Sequence, residues 1–212
     1  MRLSLKVNDL RLVKGYKLLI SGLNFEINAG EALSLSGENG VGKTTLLRTL
    51  AGFTVPQGGT IVFTDNHSQV DEEEARVRHV HFLGHQDALS PARTVAQELA
   101  FQAEYLGGDA SAAVEPLRLK ALMDLETRYL SAGQKRRLSC ARLLMAKRAL
   151  WLLDEPMAPL DAEHRVLLGG LMQAHLAEGG MIIAAVHDPL PFETQSLHLQ
   201  RPTVAQMEAA GG

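Results

Sequence analysis

The chain has 212 residues, a single cysteine and a formal net charge of −3, with 21 lysines and arginines dispersed along it. A chain of this length can bury roughly 70% of its unfolded surface, so a core needs no disulfide or structural metal, and the lone Cys140 reads as core packing in a reducing compartment. Dispersed basic residues argue against a nucleic-acid surface, and no apolar run approaches the roughly 20 residues that span a bilayer.

Charges interrupt every apolar run of "MRLSLKVNDLRLVKG", so no signal peptide is expected there. The first thirty residues alternate apolar and polar around Lys14-Gly15-Tyr16 and Asn28-Ala29-Gly30, the pattern of an antiparallel hairpin. "EALSLSG" runs as a strand into a glycine-rich turn, and the helical "KTTLLRTLAG" and the strand "GTIVF" follow. "DEEEARVR" is a charge run whose default reading is a solvated turn or helix end.

"HVHFLGH" is predicted as a strand, with His79, His81 and His85 at alternating positions and therefore on the surface or supporting a site. Two short helices, Thr94 to Gly108 and Ala112 to Asp124, are expected around Gly107-Gly108. "LSAGQ" then opens a helix, "ALWLLDE" is an apolar strand, Leu160 to Ala177 a long helix, "MIIAAVH" a strand, and "SLHLQ" a last short one. Apolar strands alternating with helices imply an α/β fold with a mostly parallel sheet covered on both faces. The expectation is a single domain over residues 1–212, with residues from about 94 to 130 forming a helical insertion within it.

Gly37 to Thr44, "GENGVGKT", fits G-x-x-x-x-G-K-[ST] between a predicted strand and a predicted helix. The glycines let backbone N–H groups turn toward phosphates at a helix N-terminus, Lys43 would reach the β- and γ-phosphates, and the Thr44 hydroxyl would ligate Mg²⁺. Asp154 ends an apolar strand at the sheet edge where ligands of open α/β sheets bind, and it would hold Mg²⁺ through water. Glu155 beside it could take a proton from an attacking water, and His187 ends a later strand at the same edge.

In this order the pieces resemble the ATP-binding cassette family, the nucleotide-hydrolysing subunits of ABC transporters, over nearly the whole chain. "GENGVGKT" looks like its Walker A loop, "LWLLDE" its Walker B strand and "LSAGQ" its signature; "LGHQ", "APLD" and "AAVHD" carry its loop glutamine, D-loop aspartate and switch histidine. The resemblance implies a P-loop NTPase core with an N-terminal antiparallel β subdomain. It implies ATP and Mg²⁺ held by Gly37, Glu38, Asn39, Gly40, Val41, Gly42, Lys43, Thr44 and Thr45, with Asp154 and Gln86 at the metal. Glu155 is implied as general base, Gln86 as a water contact that also senses the membrane partner, and His187 as a γ-phosphate switch. Ser131, Ala132, Gly133, Gln134 and Asp161 are implied to face the nucleotide of a second copy, so the family pattern expects a homodimer. Tyr16 is the aromatic available to stack on adenine, about two places from the usual spacing, with a plain turn tyrosine as the alternative.

Ala132 stands where the family more often has glycine, and Met157 and Pro159 stand where it more often has a hydroxyl and a small residue, which implies a stiffer D-loop. After His187 no regulatory domain like that of many importer ATPases is expected. Within the family the chain is most similar to the cytochrome c maturation ATPases, the ATP-binding subunits of a bacterial haem exporter. That likeness implies integral membrane subunits as partners, a place on the cytoplasmic face of the inner membrane, no nucleic acid, and no direct haem binding. A cassette for another transported substrate, or one acting outside transport, is the competing reading.

Overall fold

The computed structural model describes residues 2–66 and 68–203. β1 (Leu3–Lys14) and β2 (Lys17–Asn28) form the expected hairpin, paired from Ser4–Asn28 to Lys14–Lys17 around Gly15-Tyr16. β4 (Gly58–Asp65) pairs antiparallel with β1 and β5 (Ser68–Val70) with β4, so one sheet has the order β2-β1-β4-β5. β3 (Ala32–Ser36), β6 (Val80–Leu83), β7 (Leu150–Asp154), β8 (Met181–Ala185) and β9 (Gln195–His198) make a parallel sheet of order β6-β7-β8-β3-β9.

β3, β6, β7 and β8 are largely buried on both faces, whereas the edge strand β9 is largely exposed, and the period of two divides the buried side chains between two cores. Leu150 and Leu152 of β7 join the core beneath the antiparallel sheet, whereas Trp151 and Leu153 join the core beneath the helices. Helix α1 (Lys43–Leu50) is placed between the two sheets, because Leu46, Leu47 and Leu50 share a core with Leu5 and Phe63 on one side and Leu35 and Ile183 on the other. Each such leucine contributes about 1.5–3 kcal/mol through burial. This packing fixes the start of α1 against the C-terminal ends of β3 and β7.

The opposite face carries α3 (Val95–Leu106), α5 (Ala132–Met145) and α6 (Ala162–Ala177). Thr94 caps α3 in a reciprocal box with Gln97, which explains why the first insertion helix starts where expected. The second does not form as expected between Ala112 and Asp124. Only α4 (Ser111–Val114) is α-helical there, followed by turns and a 3₁₀ turn at Lys120–Leu122. Pro116 has no N–H to continue the ladder, and Arg118 turns to φ 52°.

Two further expectations are corrected. Of the two readings of "DEEEARVR", a solvated turn or a helix end, the turn fails: the run supplies the cap and nearly all of α2 (Glu72–His79), with the Asp71 side chain accepting from the Glu74 N–H at 3.0 Å. Three glutamates in its first turn and Arg76, Arg78 and His79 in its last complement the helix dipole, so the charge run itself stabilises the helix. His79 therefore ends a helix, β6 begins at Val80, and the histidines do not alternate on one strand. His81 is neither on the surface nor beside the site: it is 2% exposed, and its Nε2 donates to the Ala146 carbonyl at 2.8 Å.

Candidate functional site

The loop between β3 and α1 turns through three glycines at positive φ: Gly37 at 132°, Gly40 at 75° and Gly42 at 123°. At Gly37 the requirement is steric as well, since a Cβ would lie 2.4 Å from the Leu199 carbonyl oxygen. Gly42 occupies the N-cap of α1, where no side chain caps the helix and no acid stands in the first turn. α2, α3, α5 and α6 each carry a side-chain cap, from Asp71, Thr94, Ser131 and Asp161. The N-terminus of α1 is thus left open to an anion, which the aligned N–H groups favour.

Lys43, the first residue of α1, folds back over this loop and is 8% exposed. Its ammonium donates to the Gly37 carbonyl at 2.6 Å and the Glu38 carbonyl at 3.3 Å, which holds the cation over the concavity. The Thr44 hydroxyl donates to Asp154 Oδ2 at 2.9 Å, and Asp154 is 3% exposed at the end of β7. A hydroxyl and a buried carboxylate side by side form a hard-oxygen corner. That donor set fits Mg²⁺, which takes one or two protein oxygens and fills its remaining positions with phosphate and water.

A cavity of about 630 Å³ opens over these residues. Its wall brings together Glu38, Asn39, Gly40, Gly42, Lys43, Thr44, Thr45, Asp154, Glu155 and His187, all expected at the site from sequence. It also includes Lys14, Lys17 and Leu19, which sequence reasoning had not placed there, and His85, whose expected place was the surface or the support of a site. The lysines flank the β1–β2 turn, so hairpin geometry brings two cations beside a third. Tyr16 stands at the tip of that turn, fully exposed, and is not among the wall residues.

Glu155 follows β7 with φ 50°, a left-handed conformation that costs a glutamate about 1–3 kcal/mol and persists only where the surroundings over-determine it. Its N–H donates to the Ala185 carbonyl at 3.0 Å, tying it to β8. His187 Nε2 lies 3.2 Å from Glu155 Oε1. The pair sets an acid and an imidazole at the same sheet edge, both on the cavity wall.

Gln86 is exposed and lines a neighbouring cavity with Asp87, Arg128 and Lys135, while His85 lines both. Ser131 caps α5: its Oγ accepts from the Gln134 N–H at 3.3 Å, and its own N–H donates to Gln134 Oε1 at 2.8 Å. An Oγ that accepts still has a proton to donate, so capping leaves Ser131 able to bind an anion. Gly133 is bare for a packing reason too, since a Cβ there would lie 3.1 Å from the Pro159 carbonyl oxygen. Asp161 caps α6, accepting from His164 N–H at 2.9 Å, and these hydrogen bonds hold its carboxyl below the usual range. Ser131, Ala132, Gly133 and Asp161 are absent from the cavity wall, so within one chain the signature helix and the phosphate loop do not meet.

Sequence reasoning missed Arg136. It is 1% exposed, and its guanidinium donates to five acceptors: the carbonyls of Gly84, Asp154, Glu155 and Pro156 and the carboxylate of Asp87. Helical spacing could have found it, because Arg136, Ser139, Cys140 and Leu143 recur at the intervals of one buried face. Burial pushes the Cys140 thiol up to about 12, which leaves it as packing rather than a nucleophile.

The sequence pattern of the ABC transporter family matches residues 20–158. The chain belongs to that family. As a member it is an ATP-hydrolysing transport subunit. It is 47% identical over 193 residues to the cytochrome c biogenesis ATP-binding export protein CcmA of Rhodopseudomonas palustris (strain BisB5), covering 90% of this chain and 94% of that protein. To the protein of the same name from Bradyrhizobium diazoefficiens it is 45% identical, over 88% of this chain and 93% of the relative. A bacterial ABC transporter cassette solved as a dimer shares its fold with a TM-score of 0.77 at 20% identity, covering 92% of this chain and 94% of that one. Among the described residues, no helix is long and apolar enough to cross a membrane.

Proposed function

We propose that this chain is the ATPase subunit of a haem exporter serving cytochrome c biogenesis, coupling hydrolysis to haem delivery to a periplasmic chaperone. The observation that carries this reading is the 47% identity, over 90% of the chain, to an export protein named for cytochrome c biogenesis. Partners would be integral membrane subunits that hold it at the cytoplasmic face of the bacterial inner membrane. Handling haem would fall to those subunits, and His81, buried and bonded to Ala146, is not free to ligate it.

In this reading the triphosphate of ATP lies along residues 37–45, with backbone N–H groups and the end of α1 receiving its charge. Lys43 exchanges the Gly37 and Glu38 carbonyls for phosphate oxygens. Thr44 and Asp154 would hold Mg²⁺, with Gln86 brought up from the adjacent turn, and the ion supplies neutralisation of the phosphate charge. Glu155 takes a proton from water as the water oxygen bonds to the γ-phosphorus. The bond to the bridging oxygen then breaks, and ADP and phosphate leave. His187 holds the Glu155 carboxylate on one side and faces the γ-phosphate on the other.

The separation of Ser131–Gln134 and Asp161 from the cavity supports a homodimer in which each signature helix closes on the other subunit's ATP. Closure would complete the ring of donors around the γ-phosphate, and positioning of that kind carries most of phosphoryl-transfer catalysis. Affinity isolation of the chain from detergent-solubilised native membranes tests the assignment. Co-isolation of integral membrane subunits, with MgATP turnover in the complex, is expected; recovery of the chain alone would count against a transport role.

A further inference from the structure

The buried Arg136 belongs to α5, the helix whose first turn carries Ser131 and Gly133, yet its five hydrogen bonds all leave that helix. Its Nη2 donates to the Asp154 carbonyl at 2.6 Å and the Glu155 carbonyl at 2.7 Å, and its Nε donates to the Pro156 carbonyl at 3.2 Å. Its Nη1 donates to the Gly84 carbonyl at 2.8 Å and Asp87 Oδ1 at 3.2 Å, on the turn that carries Gln86. All five N–H donors of the guanidinium are thereby used, and only the planar fork of arginine can reach three consecutive carbonyls and a second loop at once.

The three carbonyls belong to the segment where Glu155 adopts its left-handed φ of 50°. A conformation of that kind needs external restraint, and Arg136 supplies it together with the Glu155 N–H bond to Ala185. The direction of the Glu155 carboxylate follows from that backbone. The phosphate-holding side chains Lys43 and Thr44 are bonded elsewhere, to Gly37, Glu38 and Asp154 Oδ2.

We propose that Arg136 is a positioning residue for hydrolysis: it holds the Asp154–Pro156 backbone, and with it the Glu155 carboxylate, in register with the Gly84–Asp87 turn and the signature helix. The inference rests on Glu155 acting as general base. It makes one side chain the mechanical link between the turn facing the membrane partner, the helix facing the second subunit, and the catalytic carboxylate.

The test uses the full-length chain with MgATP and compares wild type, Arg136→Lys, Glu155→Gln and the double variant, measuring turnover and ATP affinity separately. Arg136→Lys keeps the charge but loses the fork, and turnover should fall about 10- to 100-fold, the range expected for misplacing a catalytic group. ATP affinity should stay within about threefold, because the residue touches no phosphate-binding side chain. In the Glu155→Gln background the same change should cause almost no further loss, because both act through one group. A loss in the double variant equal to that in wild type, or a parallel loss of ATP affinity, overturns the positioning role. Normal turnover by Glu155→Gln alone would instead overturn the general-base reading, whatever Arg136→Lys does. Should the lysine variant fail to fold, Asp87→Asn decides: a fewfold loss of turnover at unchanged affinity is expected, and unchanged turnover contradicts the link.

Discussion

Thr44 and Asp154 are 110 positions apart in sequence and meet through a 2.9 Å hydrogen bond at the end of the parallel sheet. The contact joins the start of α1 to the end of β7, so two local sequence signals become one site only through the packing of α1 between the sheets.

Lys43→Ala should weaken ATP binding itself. The ammonium makes charge-assisted hydrogen bonds whose loss costs about 1.5–3 kcal/mol, or roughly 10- to 100-fold in affinity. A fluorescent-nucleotide titration with Mg²⁺ measures this directly, and an unchanged affinity would remove Lys43 from the phosphate site.

Glu155→Gln should bind ATP normally and turn it over about 10²- to 10⁴-fold more slowly, the usual contribution of a general base. Steady-state phosphate release beside equilibrium binding separates the two. Near-normal release would leave the water without its proton acceptor in this account.

Gly133→Asp tests the dimer. A side chain there meets the Pro159 carbonyl and places negative charge where a γ-phosphate is expected. ATP affinity of the single chain should change by less than about threefold, since this helix is not part of the cavity wall. ATP-dependent dimerisation in the Glu155→Gln background, followed by light scattering, should disappear. Retention of the dimer would contradict the facing arrangement.

Stability should fall in mild acid. Burial lowers the His81 pKa from 6.5 to about 4, so the folded chain keeps it neutral where the unfolded chain protonates. The contribution is complete above pH 6.5 and is lost as pH falls toward 4, amounting to about 3 kcal/mol. Burial lowers His175 as well, with the same sign. Urea denaturation at about pH 7.5, above this window, and at about pH 5, inside it, should show a shallower loss for His81→Gln than for wild type. Equal slopes would show that His81 does not titrate in this way.

The parts of the site readable in sequence are those whose chemistry demands a local spacing. The glycines around Lys43, and an aspartate ending an apolar strand, are legible because one turn and one strand end produce them. Arg136 escaped because its significance lies in acceptors on two other loops, although its place on the buried stripe of α5 was available. His81 was misplaced because a polar residue on a strand defaults to the surface, and nothing local announces the Ala146 carbonyl that satisfies it. The Glu72–His79 helix was hidden by composition alone, since its stability comes from capping and charge order rather than an apolar stripe. Lys14 and Lys17 enter the site only because the first hairpin folds over the loop.

The most direct test of the whole account is made in the cell. The chain's own gene is deleted, and covalently attached haem in periplasmic c-type cytochromes is measured after restoring either wild type or Glu155→Gln at equal expression. The account predicts that deletion abolishes haem attachment, that wild type restores it, and that Glu155→Gln does not. Normal c-type cytochromes in the deletion strain would contradict the haem-export assignment, and full restoration by Glu155→Gln would contradict its coupling to hydrolysis.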